Sequence, residues 1–352
     1  MSSLPEGYPN IPLDVLPAWG GPVSVGRIRR QVEDFQVSEV PLVEACGEGE
    51  HSWLHVQKTG SNTQWVANQL AAFAGVRSNA VSYAGLKDRH AVTDQWFSVH
   101  LPGQPEPNWA SLQHDEFRIL SFQRHQRKLK TGALKGNRFV LTVRDIDGDT
   151  ADIDTRLGQV AAGGFPNYFG PQRFGRGGSN LASAAHMFAS RKRKVPRSKR
   201  SIYLSSVRSA LFNLVLSARV AEGSWNQVKP GEAVQLDGRS ACFVVTAIDD
   251  EILERLAGGE LHPTGPLCGD GESLCTGAAA AFETASLQPY TAWIESLSSA
   301  RVEVARRSLR IMPGSLTWQH EPDGCLTLCF YLPAGSYATS LLAEIFRLED
   351  AA

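Results

Sequence analysis

Alternation of apolar and polar positions dominates the N-terminal part of the chain. Val23 to Arg30 and Asp34 to Val40 alternate as paired strands do, and His51 to Lys58 reads as a third strand. The period then lengthens. Val66, Gln69, Leu70 and Phe73 recur at helical spacing, with Ser61 or Asn62 as the expected N-cap and Gly75 just past the end. Strand character returns at Ala80 to Tyr83 and at Gln95 to Leu101, on either side of a polar loop, and again at Arg138 to Val143. Asp149 or Thr150 opens a second helix through Ile153, Leu157 and Val160, closed by Gly163 and Gly164.

From about Phe165 the texture changes. A loop of Gly and aromatic residues leads into a basic run and then a long amphipathic helix, with Leu204, Val207, Leu211, Leu214, Val215 and Ala218 on one face. Strand-like pieces from Ala233 to Ala247 and a Gly- and Pro-rich loop (Gly258 to Gly277) precede helical patterns that reach Arg310. This stretch reads as a separate domain. The tail alternates again at Ser315 to Gln319 and Leu326 to Leu332, and ends in a short helix from Tyr337 to Arg347. Strands are grouped and do not alternate with helices, which predicts an α+β fold. The chain has no internal repeat and no low-complexity segment.

Composition adds limits. A chain of 352 residues, 42% hydrophobic and 20% charged, can bury a large core and make two domains. Its formal net charge of −1 identifies no partner, but the distribution is uneven. Arg124 to Arg138 holds six Lys or Arg and no acid, seven of the ten residues from Arg191 to Arg200 are basic, and acids collect between Asp145 and Asp154. Local positive patches of this kind suit a phosphate backbone. The six cysteines are scattered, with no Cys-x-x-Cys pair and no His spacing for a zinc site, and read as buried free thiols. No metal site is expected. With no signal peptide and no apolar run of 18 residues, a cytoplasmic protein away from membranes is the expectation.

The candidate chemistry is concentrated in Ala84 to Gln95. Asp88 stands there between Lys87 and Arg89, in a polar loop held at both ends by strands. An ionised Asp among cations can act as a nucleophile, though the same order of charges also makes an ordinary solvated turn. Gly132 and Gly136 flank a stretch ending in Asn137 and Phe139, where an Asn amide could meet a base edge or cap a turn. Phe174 to Asn180 is Gly-rich but matches neither a P-loop nor a dinucleotide fingerprint. No nucleotide cofactor is expected.

Five blocks carry a resemblance: GLKDRHAVTDQW, RRQVEDFQVSE, LKTGALKGNRF, NYFGPQRFGRGGSN and LPAGSYATS. Together they resemble the tRNA pseudouridine synthase D (TruD) family, in family order from residue 29 to residue 340. The resemblance implies a discontinuous pseudouridine synthase catalytic domain (1–164 and 312–352) with a mixed, largely antiparallel sheet, and an inserted α/β TRUD domain at 165–311. It implies isomerisation of uridine to pseudouridine in tRNA, at position 13, by a cofactor-free monomer whose catalytic carboxylate is Asp88. It also implies that Arg29, Phe35, Asn137, Phe139 and Tyr337 surround the substrate, with Arg29 a better candidate than Lys87 or Arg89 for the cation beside Asp88, since adjacent side chains in an extended loop often point apart. Arg29 stands where the family usually has Lys, Tyr337 where Phe is more typical, and Ala343 where Arg is common. Two other readings remain open at this level: an RNA hydrolase or glycosidase, which needs a second carboxylate or a metal set, and a non-catalytic tRNA-binding or folding protein.

Overall fold

The structure is a computed structural model that describes residues 4–190 and 195–350. The chain divides into two compact units: residues 24–149 with 313–335 and 346–352, and residues 1–23 with 150–312 and 336–345. The second holds all of the expected insert, 165–311, together with the helix Thr150–Gly163 and the short helix Ala338–Leu342. No helix among the described residues is long and apolar enough to cross a membrane.

The first unit is built on a ten-stranded mixed sheet. Its main path runs Gly314–His320, Leu326–Pro333, Leu134–Asp147, Phe35–Pro41, Val92–His100, His51–Thr59, Phe117–His125. Strand Val81–Tyr83 pairs with Val92–His100, and Ser24–Ile28 lies between Leu134–Asp147 and Phe346–Asp350. Among the described residues of this sheet two pairings are parallel, Phe35–Pro41 with Val92–His100 and Ser24–Ile28 with Phe346–Asp350. Helix Thr63–Phe73 buries Val66, Ala67, Leu70 and Ala71 against Leu54, Val56, Phe97 and Val99 of the sheet. Those residues are the apolar phase of the sequence pattern. The next inward position on the strand after Leu54 and Val56 is Lys58, which is fully buried with them.

The second unit packs helices around a four-stranded antiparallel sheet in the order Cys242–Val245, Glu232–Leu236, Leu261–Leu267, Ala305–Ser308. The long helix Arg197–Ala221 supplies Val207, Leu211, Val215 and Leu216 to its core, beside Trp293 and Leu297. Two buried arginines are matched by acids: Arg219 with Glu232 at 3.1 Å and Arg306 with Glu283 at 2.6 Å.

The observed elements depart from the expected ones at several points. Ser24–Ile28 and Phe35–Pro41 do not pair with each other, because each binds a different part of the long strand Leu134–Asp147. Phe117–His125 is a strand that alternation does not reveal, since both of its faces carry exposed residues. The Gly- and Pro-rich loop contains the strand Leu261–Leu267, whose two prolines sit in an otherwise buried run. Helix Ser179–Ala189 begins inside the Gly-rich stretch, and the tail closes in the strand Phe346–Asp350. Of the cysteines, all free, Cys46 is exposed and Cys242 and Cys329 are half-buried. Within the basic run Arg191 to Arg200, residues 191–194 lie outside the described residues.

Candidate active site

Asp88 sits in the loop between Val81–Tyr83 and Val92–His100, where the sheet opens. Phe35–Pro41 runs parallel to Val92–His100 as far as the Ser38 and Asp94 pair. Beyond it, a side chain takes over from the backbone ladder: the Glu39 carboxylate accepts a hydrogen bond from the Trp96 amide at 2.8 Å. The backbone leading into Asp88 is held at several points. Thr63 Oγ1 accepts from the Lys87 amide at 3.0 Å and donates to Gln95, whose own side-chain amide donates to the Gly85 carbonyl. The Gly132 amide donates to the Ala84 carbonyl at 2.6 Å.

The three cations nearest in sequence and fold play different parts. Arg29 pairs with Asp88, its guanidinium 3.0 Å from Oδ2, and is itself almost fully buried. Its φ of 59° is left-handed, a conformation that costs a non-glycine residue energy and is retained where the surroundings over-determine it. The same guanidinium lies 4.2 Å from the centre of the Phe35 ring, so the ion pair rests on an aromatic face. Lys87 turns away from its neighbour. Its ammonium is 3.0 Å from Glu39 Oε1 and donates to Asn137 Oδ1 at 2.6 Å. Burial raises the Glu39 carboxyl above the ordinary range, against the pull of Lys87. Arg89 donates to the Gly60 carbonyl instead.

Lys58 approaches the loop from the core side. Its buried ammonium donates to two backbone carbonyls, Asp88 O and Ser61 O, each at 2.7 Å. Burial pushes its pKa down to about 8, with Asp88 drawing it back upward.

Phe35, Phe139 and Phe330 form an aromatic floor. Phe35 and Phe139 meet edge to face at 6.3 Å, and Phe139 stacks on Phe330 at 5.2 Å. Both Phe35 and Phe139 are buried, so neither offers an open face to a base while Arg29 covers Phe35. The structure thus brings Asp88, Arg29, Phe35, Asn137 and Phe139 into one unit and links Asp88 to Arg29 and Arg29 to Phe35 directly. Tyr337 belongs to the other unit, where its hydroxyl accepts from Arg173 at 3.2 Å and its ring meets Phe169.

Sequence reasoning missed Glu39 and Lys58. Both carried a signal: a charged residue in the apolar phase of a strand, after Phe35 and Val37 in one case and after Leu54 and Val56 in the other.

Comparison with known proteins agrees with this architecture. The family model described as tRNA pseudouridine synthase D (TruD) matches residues 18–183 and 179–345. The tRNA pseudouridine synthase D of Methylococcus capsulatus is 45% identical over 345 residues, covering 97% of this chain and 98% of its own. That of Nitrosococcus oceani is 47% identical over 338 residues, covering 95% and 94%. A crystal structure from Methanosarcina mazei, described as a candidate protein of the same kind, superposes with a TM-score of 0.72 at 22% identity. It covers 98% of this chain and 99% of that one, and at this identity it supports the fold alone. The class is therefore that of the pseudouridine synthases of type D. The chain belongs to the tRNA pseudouridine synthase D (TruD) family.

Proposed function

We infer that the chain converts uridine to pseudouridine in tRNA, with Asp88 as the reacting carboxylate and the uridine at position 13 as its target. The reaction breaks the bond from N1 to the ribose C1' and remakes it from C5, so it is an isomerisation without redox change. An ionised carboxylate can attack C1' or C6, or take a proton from C2'. The observation that carries the assignment is the Arg29–Asp88 ion pair at 3.0 Å, on a loop whose backbone is held on both sides. A guanidinium at that distance fixes the position of the carboxylate by charge and hydrogen bonding.

Arg29, Phe35, Asn137 and Phe139 are the substrate-side residues of this reading, Phe35 and Phe139 as the buried aromatic support of Arg29, and Tyr337 is the further aromatic that the family resemblance implies. The Asn137 carbonyl oxygen is taken by Lys87, which leaves its amide NH2 to donate to a base or ribose. An RNA glycosidase would need a second presented carboxylate. Glu39 does not serve, because its carboxylate is buried and engaged by Lys87 and the Trp96 amide. The free cysteines suit a reducing cytoplasm, the location this reading implies.

Asp88→Asn keeps shape and removes charge, so pseudouridine formation, detected by carbodiimide labelling of treated tRNA, should be abolished while tRNA affinity is nearly unchanged. Activity within about tenfold of wild type would remove Asp88 from the mechanism.

A further inference from the structure

Lys58 is a lysine with no exposed surface, on the core phase of a central strand, and no carboxylate oxygen lies within ion-pair distance of it among the described residues. Burying an ammonium costs several kcal/mol unless it gains compensating partners, so a chain that needed only packing here would place Leu or Val, as it does at positions 54 and 56. The partners it has are two carbonyls at 2.7 Å, and one of them belongs to Asp88 itself. The second, Ser61 O, lies just before the helix Thr63–Phe73. The ammonium therefore ties the main chain of Asp88 to the start of that helix.

We propose that Lys58 is a positioning residue for the reaction, holding the Asp88 main chain by its ammonium so that the carboxylate stays at the reacting distance beside Arg29. This rests on the reading of Asp88 as the reacting carboxylate. Apart from Arg29, the partly exposed Asp88 carboxylate has a 3.2 Å hydrogen bond from the His90 amide in its own loop, so the loop backbone sets how accurately it is placed. Thr63 fixes the Lys87 amide and Lys58 fixes the Asp88 carbonyl, from opposite ends of one two-residue step. A shift of about 1 Å in a reacting group can cost roughly 100-fold in rate. The charged groups acting on Lys58 are Asp88 and Lys87, both on the loop; its strand neighbours Thr93 and Phe117 carry no charge.

The test is Lys58→Met, which keeps length and loses the donors, with Leu54→Ala as a control lesion on the same strand. The single-turnover rate at saturating enzyme should fall about 100-fold in Lys58→Met with tRNA Kd nearly unchanged, whereas Leu54→Ala should lose thermal stability and keep its rate. A Lys58→Met rate within a few-fold of wild type would overturn the proposal. If that variant does not fold, the wild-type profile of single-turnover rate against pH decides. The rate should decline as the ammonium is lost, near about pH 8, and a profile flat to about pH 10 would overturn it equally. Asp88→Asn run in parallel separates the two claims. Full activity there sinks the role of Asp88, while a dead Asp88→Asn beside a normal Lys58→Met sinks only that of Lys58.

Discussion

Arg29 joins backbone, charge and aromatic contact in one residue. Its left-handed φ of 59° follows the end of strand Ser24–Ile28, and its side chain bridges Asp88 and the Phe35 ring. Arg29→Lys keeps the charge but loses the planar fork and much of the stacking on the ring, so kcat should fall by about tenfold or less. Arg29→Ala removes a charge-assisted hydrogen bond of about 1.5 to 3 kcal/mol and should cost roughly 10- to 100-fold. Equal kcat in the two variants would mean that the charge on this residue is immaterial. Lys58 makes a separate prediction about stability. Its folded pKa of about 8 lies below the unfolded value of 10.5, so between those pH values the unfolded chain binds more protons. Below about pH 8 the buried ammonium is a constant cost, and that cost is relieved as pH rises toward 10.5. In urea unfolding, wild type should gain stability relative to Lys58→Met as pH is raised from 8 to 10.5, and parallel curves would show that Lys58 is not the titrating group.

The element that joins Phe117–His125 to Leu134–Asp147 is a basic loop on a fixed frame. Leu129 is buried against Trp53 and Ala84, its amide donates to Ser98 Oγ, and the Arg127 carbonyl accepts from the Trp53 indole. Its side chains behave differently from its backbone. Arg127, Lys128 and Lys130 are exposed and make no ion pair among the described residues, while other exposed cations such as Arg27 and Arg30 are matched to Glu349 and Asp145. Unneutralised cations on a rigid loop suit phosphates. Replacing Arg127, Lys128 and Lys130 by Ala should weaken tRNA binding and flatten the plot of log Kd against log salt, by about 0.7 to 0.9 for each phosphate that is no longer neutralised. The single-turnover rate of bound tRNA should hold. An unchanged salt slope would make this loop merely solvated.

At the scale of the whole molecule, the net charge of −1 conceals that loop, just as it conceals the basic run Arg191 to Arg200. The periodicity of the chain determined the α+β class, the helices at Thr63–Phe73, Thr150–Gly163 and Arg197–Ala221, and the strands on either side of Asp88, because each depends on side chains a few residues apart. The candidate carboxylate was legible for the same reason, as a local order of charges in a loop between strands. Its partners were not, apart from Arg29, the expected cation beside it. That Lys87 serves Glu39 and Asn137, that Arg89 serves Gly60, and that Lys58 holds the Asp88 main chain are outcomes of the sheet opening after Ser38 and Asp94 and of a left-handed residue past a strand end. Strand pairing was equally hidden. Alternation shows that Ser24–Ile28 and Phe35–Pro41 each have a buried face, but not that both bind Leu134–Asp147, since a ladder is chosen by distant residues. Tertiary packing alone decided where each buried charge finds its partner, because a charge in the core phase of a strand is tolerated only where the rest of the fold brings it a counter-ion or a carbonyl.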